Sequence, residues 1–160
     1  MRPRYAKVVD AYPRRDPFDR PTLLGSIGWD DLIANMNFEN TCAIRVSIAL
    51  VAAGMRLPGR MSVKAGPLRG RLVEPGQVKL SHILAKPNML GAPEKFKGAT
   101  AAEAGIRMRG GIVSFWRIYP ERRGATQGHI DVIGPNAYQF LACLGNCYFG
   151  AFEVWFWPLK

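Results

Sequence analysis

Long apolar runs are missing from this sequence. The longest candidate, Ile44 to Ala53, is interrupted by Arg45 and Ser47, whereas a membrane-spanning helix needs about 20 consecutive apolar residues. The first residues, Met1 to Lys7, also lack the apolar core of a secretory signal peptide. We therefore expect a chain that is made in the cytoplasm without a signal peptide and that has no membrane span.

Residues that bind metals are scarce as well. The chain has 3 cysteines and 2 histidines, and a structural zinc site takes about four such ligands at close spacing. Cys143 and Cys147 with two distant histidines do not supply that set, so we expect no metal and no cofactor. An odd cysteine count leaves at least one thiol free. The turn residues between Cys143 and Cys147 would allow a small disulfide ring, and two reduced core cysteines are the alternative.

Acidic residues are far fewer than basic ones. The sequence has 12 Asp and Glu against 22 Lys and Arg, a net charge of +10. Such a charge attracts polyanions, including nucleic acid, anionic membranes and the acidic bacterial cell wall. The basic residues are spread along the chain, and no nucleic-acid-binding motif is present. The charge therefore indicates an acidic partner, and we expect no nucleic acid among the partners.

The hydrophobic pattern predicts helices first and strands second. Residues 1–25, rich in Arg, Pro and Asp, are expected to form an irregular basic lead-in. Residues 55–79 and 93–98 are expected to be loops, the first with short strands. The predicted helices are Ser26–Met36, Cys42–Ala53, Leu80–Ala85 and Thr100–Gly110, and the predicted strands are Ile112–Tyr119, His129–Ile133, Tyr138–Ala142 and Phe152–Trp157. This order favours an α+β fold, in which one domain over residues 1–160 packs its helices on an antiparallel sheet.

The helix from Cys42 to Ala53 is apolar on nearly all sides and begins with a cysteine. A helix N-terminus carries partial positive charge and unpaired N–H groups, which stabilise a thiolate. The Cys42 N–H, with Asn40 nearby, could also hold the oxyanion of an acyl-transfer reaction. His129 begins a later strand and is the candidate base. Taken singly, a buried cysteine and a lone histidine are more often structural, and we expect His82 to be a surface or loop residue.

Three segments, taken together with their order along the chain, strengthen the hypothesis that Cys42 and His129 are catalytic. Glu39-Asn-Thr-Cys-Ala-Ile-Arg45, Gly128-His-Ile-Asp131 and Glu153-Val-Trp-Phe-Trp157 resemble the fourth group of type VI secretion amidase effectors, antibacterial toxins that bacteria inject into rivals. The resemblance runs from about Gly28 to the C-terminus. It implies a papain-like (NlpC-type) cysteine peptidase fold, with Cys42 and His129 as the catalytic pair. It also implies hydrolysis of the bond between D-glutamate and meso-diaminopimelate in peptidoglycan stem peptides.

The sequence offers two candidates for the residue that orients the histidine. The family has an aspartate about eleven residues beyond the histidine, where this chain has none. Asp131 lies two residues after His129 and so on the same face of the strand, and its carboxylate would support an imidazolium. Gln139, on the returning strand, is the alternative. We favour Asp131.

The resemblance also implies partners and a site of action. Besides the stem peptides, these are the type VI secretion machinery and a cognate immunity protein, and the toxin acts in the periplasm of the target cell. Cys143 and Cys147 are expected to form a disulfide there. Two rival functions stay open: a basic module that binds nucleic acid or anionic surfaces and in which Cys42 is structural, and a redox-responsive interaction protein that uses Cys143 and Cys147.

Overall fold

The first half of the chain folds mainly into short helices around one buried helix. The computed structural model describes residues 2–160. Within that range the α-helices are α1 (Tyr5–Ala11), α2 (Arg20–Ser26), α3 (Cys42–Ala52), α4 (Gln77–Leu84) and α5 (Ala99–Ile106). Two 3₁₀ turns, Asp30–Leu32 and Met36–Phe38, connect α2 to α3.

Helix α3 is the centre of the larger hydrophobic core. Every residue from Cys42 to Val51 is buried, as a helix without a polar face requires. It packs against α1, α4 and the sheet strand β5 (His129–Pro135). The helix predicted from Cys42 to Ala53 is therefore confirmed to within one residue.

The prediction of an irregular lead-in over residues 1–25 is wrong. This segment contains α1 and α2, and it packs Val8, Leu23 and Leu24 into the core. The Asp19 side chain caps α2 by accepting a hydrogen bond from the Thr22 N–H at 3.0 Å, and a proline lies in the first helical turn. Frequent prolines and arginines concealed two helices of only seven residues each.

The predicted helix from Ser26 to Met36 is also wrong. The chain there forms the two 3₁₀ turns instead, and the Asn35 side chain accepts a hydrogen bond from the Asn37 N–H at 3.0 Å. The Arg20 guanidinium bonds the carbonyls of Ile33 and Phe38 at 2.6 and 2.8 Å. These side-chain bonds supply partners that an α-helix would otherwise provide within its own backbone.

The second half of the chain forms an antiparallel sheet. The strands are β1 (Met61–Ser62), β2 (Leu72–Val73), β3 (Glu94–Phe96), β4 (Gly111–Trp116), β5, β6 (Leu141–Cys143) and β7 (Glu153–Pro158). The order in the sheet is β3-β7-β4-β5-β6, and in the described residues a separate two-stranded ribbon pairs β1 with β2. The α+β fold with helices packed on an antiparallel sheet is confirmed.

The two faces of the sheet bury different clusters. Ile112, Ile130 and Trp157 pack toward α3, whereas Val113 and Phe156 pack on the opposite face with α5. This alternation is the two-residue period of a sheet covered on both sides.

The strands depart from the sequence prediction most clearly at β3 and β6, and β4 ends at Trp116, three residues before the predicted Tyr119. The expected loop over residues 93–98 includes the edge strand β3, paired with β7. The strand predicted over Tyr138–Ala142 begins only at Leu141, because Asn136 Oδ1 accepts the N–H groups of Tyr138 and Phe140 and holds a turn there. No helix in the described range is long and apolar enough to cross a membrane.

Candidate active site

Cys42 is the first residue of α3 and lines a cleft of about 650 Å³. Its side chain is largely buried, and it is the free cysteine of the described chain. The helix axis places the positive end of the α3 dipole at this thiol. Sequence and structure therefore agree on the location of the candidate nucleophile.

His129 lies beside Cys42, since both side chains line the same cleft and Cys42 acts directly on the imidazole. As the first residue of β5, it pairs in register with Phe115 of β4. The imidazole packs against two aromatic rings, with centroids 6.3 Å from Phe115 and 5.1 Å from Tyr148. This aromatic packing restricts how the ring can turn.

The His129 imidazole connects a thiol and a carboxylate. Its Nε2 lies 2.9 Å from Asp131 Oδ2. Nδ1 is therefore the ring nitrogen that is available to Cys42. Burial by itself would lower the pKa of His129, but the hydrogen bonds and charges of Asp131 and Cys42 outweigh burial and raise this pKa to about 9. At neutral pH the ring is therefore an imidazolium.

Asp131 is fully buried, yet its carboxylate is well supplied with donors. Oδ1 accepts the Val132 N–H at 2.8 Å, and Oδ2 accepts the N–H groups of Gly145 and Asn146 at 3.0 and 2.9 Å. These charge-assisted bonds offset the cost of burying the carboxylate. The structure thus brings the Asp131 carboxylate against the histidine.

Gln139 lies away from this site. It occupies the tip of the hairpin between β5 and β6, with a positive φ of 64°, and it lines a separate pocket with Phe140 and Phe149. The turn that Asn136 stabilises carries Gln139 past the end of the sheet. The alternative orienting residue is therefore not brought to His129.

Cys143 and Cys147 form a disulfide, with their Cα atoms 5.3 Å apart. The closed loop between them presents the two N–H groups that bond Asp131. Gly145 is required at that place, since a Cβ there would lie 2.7 Å from Asp131 Oδ2. The disulfide is thus part of the support of the site.

The two groups expected to hold an oxyanion bond to each other instead. Asn40 Oδ1 accepts the Cys42 N–H at 3.1 Å. An oxyanion can use this N–H only after the Asn40 side chain moves away. The N–H is correctly located at the mouth of the cleft, but in this structure it is occupied.

The N-terminal segment forms one wall of the cleft, which the sequence did not predict. Tyr12, Arg15, Asp19 and Arg20 belong to the lining, and burial together with the neighbouring Asp131 raises the pKa of the Tyr12 hydroxyl. The signal that could have indicated this wall is Arg45, a lone charge inside an otherwise apolar helix.

His82 is exposed on α4, as expected, and stands outside the cleft. Its ring contacts Trp116 and Trp155 at centroid distances of 5.6 and 5.7 Å. Among residues 2–160, no group of three or more His, Cys, Asp and Glu side chains has a geometry that could hold a metal ion.

A thiol at a helix start, a histidine on an antiparallel strand packed against it and a carboxylate bonded to that histidine together define a cysteine peptidase of the papain-like class. A family model described as "Type VI secretion system (T6SS), amidase effector protein 4" matches residues 38–157, well over half of the chain. The chain belongs to this family.

The family assignment confirms the predicted activity. Its members are peptidoglycan amidases, cysteine-type DL-endopeptidases that cut the bond between D-glutamate and meso-diaminopimelate. The basic binding module is not favoured.

Solved structures have the same fold over almost their whole length. The type VI effector Tae4 from Enterobacter cloacae is 22% identical, with a TM-score of 0.74, and the match covers 100% of this chain and 98% of that one. Tae4 from Salmonella typhimurium, solved in complex with the immunity protein Tai4 from Enterobacter cloacae, is 17% identical, with a TM-score of 0.75 and coverage of 99% and 100%. No curated protein sequence matches the chain.

Proposed function

We propose that Cys42, His129 and Asp131 are the nucleophile, the acid–base group and the orienting carboxylate of this amidase, within one catalytic domain. The observation that carries the proposal is the position of His129, which contacts Asp131 through Nε2 and has its pKa raised by both Asp131 and Cys42. An imidazolium beside the thiol stabilises a thiolate at neutral pH.

Acylation begins when the Cys42 thiolate attacks the carbonyl carbon of the D-glutamyl side chain that is linked to diaminopimelate. The tetrahedral intermediate collapses, the C–N bond breaks, and the His129 imidazolium gives its proton to the leaving amine. The D-glutamyl group remains on Cys42 as a thioester. Asp131 keeps the imidazole in one orientation and stabilises its charged form.

Deacylation reverses the proton movement. The neutral His129 takes a proton from a water molecule, and the resulting hydroxide attacks the thioester carbonyl. The C–S bond breaks, the peptide leaves with a D-glutamate side-chain carboxylic acid that gives its proton to the solvent, and the thiolate–imidazolium pair is restored. No other reactant is needed.

The Cys42 N–H is the proposed oxyanion donor. Its bond to Asn40 Oδ1 shows that it points toward a position that an oxygen acceptor can fill. We infer that the substrate carbonyl displaces the Asn40 side chain, which is exposed and free to rotate toward the oxyanion with its amide group.

The proposed biology is delivery by the type VI secretion machinery from a producer's cytoplasm to the periplasm of a rival cell. An oxidising periplasm suits the Cys143–Cys147 disulfide. The similar Tae4 proteins were solved with the immunity protein Tai4, and we propose that a cognate immunity protein likewise covers the cleft of this chain in the producer.

The test is digestion of purified peptidoglycan sacculi followed by mass analysis of the soluble products. Wild-type protein is expected to release soluble fragments that begin at diaminopimelate and to leave stem peptides that end at D-glutamate on the glycan strands. Cys42→Ala should release none, while its circular dichroism and melting temperature stay close to wild type. Release of the same fragments by Cys42→Ala would overturn the assignment of the nucleophile.

A further inference from the structure

Arg45 is a buried cation beside the proposed nucleophile. It lies one helical turn after Cys42 in α3, and residues three apart on a helix share a face. Only 4% of Arg45 is exposed, yet it belongs to the lining of the cleft that holds Cys42 and His129. The proposed catalytic steps do not involve this side chain.

Hydrogen bonds fix the guanidinium in place but leave part of it unused. Nε donates to Thr41 Oγ1 at 3.0 Å, and Nη1 donates to the carbonyls of Pro13 and Phe18 at 2.7 Å each. In residues 2–160 no hydrogen-bond acceptor contacts Nη2. The group is therefore held rigidly with a free donor nitrogen, as a preorganised anion receptor requires.

The charge of Arg45 also lacks a paired carboxylate in the described chain. Asp131 is near enough to influence its charge, but that carboxylate is already bonded to His129 and to two backbone N–H groups. The partners of Arg45 are two carbonyls and a hydroxyl. Because an unpaired buried charge is costly, an anion that enters the cleft gains a strong interaction.

The proposed substrate has one free carboxylate close to the bond that is cut. D-Glutamate is linked to diaminopimelate through its side chain, so its α-carboxylate is free, about three carbon atoms from the scissile carbonyl. Neighbouring side chains at i and i+3 on a helix have Cβ atoms about 5–6 Å apart. That separation suits a ligand whose carbonyl reaches Cys42 while its α-carboxylate reaches Arg45.

We propose that Arg45 Nη2 binds the α-carboxylate of the D-glutamyl residue and so selects stem peptides in which this carboxylate is not amidated. The inference rests on the proposed function of the same site. The other arginines of the cleft are less suited to this role, because Arg20 is committed to backbone carbonyls and Arg15 is exposed at the rim.

The test uses the inactive Cys42→Ala protein and two synthetic peptides, L-alanyl-γ-D-glutamyl-diaminopimelate and its analogue with an amidated α-carboxylate. Calorimetry should show that amidation weakens binding about 10- to 100-fold, the range of a lost charge-assisted hydrogen bond. With Arg45→Gln added, binding of the free acid should weaken by a similar factor, and amidation should then make no further difference.

Arg71→Gln is the matched control, because Arg71 also bonds a backbone carbonyl, that of Met55 at 2.9 Å, but lies outside the cleft. It should keep the full effect of amidation. If Arg45→Gln does not fold, Thr41→Val removes only one of the bonds that hold the guanidinium and should reduce the effect of amidation.

Equal affinity of the Cys42→Ala protein for both peptides would overturn the proposal. So would an effect of amidation that survives in Arg45→Gln, or that disappears in Arg15→Gln instead. The proposed function is judged separately by hydrolysis of the free-acid peptide with wild-type protein: absence of cleavage contradicts that function, whatever the binding measurements give.

Discussion

At the scale of single residues, the site depends on the charge of His129. Asp131 and Cys42 raise the pKa of His129 to about 9 although burial opposes the charged form. The imidazolium is then the main form below pH 9 and is lost as the pH rises through that value. The charged His129 also stabilises the folded protein. This contribution to the free energy of unfolding is present in full below pH 6.5, the pKa of the unfolded histidine, and is lost as the pH rises to about 9.

We predict that kcat/KM for stem peptides falls above about pH 9, because the imidazolium that protonates the leaving amine is no longer present. In Asp131→Asn the fall should move to lower pH, and kcat should drop at least 10-fold, within the usual contribution of acid–base catalysis. A pH–rate profile with a soluble peptide measures both effects.

Gln139→Ala is the control for this prediction, since Gln139 is exposed and lies outside the cleft. Its pH–rate profile should overlay that of the wild-type enzyme. A large loss of activity in Gln139→Ala together with a normal profile in Asp131→Asn would show that Gln139, and not Asp131, orients His129.

At the scale of structural elements, the loop closed by the disulfide supports the carboxylate. We predict that Cys143→Ser with Cys147→Ser lowers the free energy of unfolding by about 2 kcal/mol, the loop-closure value for so short a ring. Because the loop donates the Gly145 and Asn146 N–H groups to Asp131, kcat should fall more than KM changes. Urea unfolding and steady-state kinetics measure the two effects.

Full activity in the double serine variant, or in the wild-type enzyme under dithiothreitol, would show that the loop keeps its place without the disulfide. In that case the backbone bonds to Asp131 would by themselves be sufficient support for the site.

The strand that begins at His129 is positioned by the glycine before it. A Cβ at Gly128 would clash with Gln77 Oε1 and would lie 2.9 Å from the Phe115 carbonyl. Gly128→Ala is therefore predicted to destabilise the fold by about 1–3 kcal/mol, as overpacking does, and to lower kcat. Gly150→Ala is the control, because a Cβ there meets nothing within 4 Å, and it should change neither the stability nor kcat. Equal losses in the two variants would contradict the prediction.

How far the sequence predicts these elements depends on their length and on the distance of their contacts. Helix α3 and strands β4, β5 and β7 have long apolar patterns, so their types could be inferred, whereas the pairing of Cys42 with His129 was inferred from the family resemblance. Helices α1 and α2 are seven residues long, and the segment that connects them is held by tertiary contacts, such as the bonds from Arg45 to Pro13 and Phe18. No local pattern contains that information.

The site was partly predictable for the same reason. Asp131 shares a strand face with His129, so the two-residue period was enough to propose it. The donors of Gly145 and Asn146 come from a loop fourteen and fifteen residues away, and only the folded chain brings them together. The bond between Asn40 and the Cys42 N–H likewise depends on local geometry that propensities do not describe.

At the scale of the whole molecule, the net charge of +10 should matter on an anionic wall. We predict that the rate of digestion of whole sacculi falls several-fold between about 50 and about 500 mM salt, since screening shortens the Debye length from about 14 Å to about 4 Å. Cleavage of a small soluble peptide should change much less. The same salt dependence for both substrates would show that the overall charge does not concentrate the enzyme on its substrate.

The central claim is that Cys42 performs the reaction, and alkylation with iodoacetamide tests it most directly. The thiol lines the cleft and is the free cysteine of the described chain, the other two forming the disulfide. Peptide mass analysis and activity should be followed in the same samples. We predict that loss of muropeptide release follows carbamidomethylation of Cys42 in a one-to-one ratio, and that His129→Ala slows the alkylation at neutral pH. Retained activity in protein whose Cys42 is fully alkylated would contradict the account.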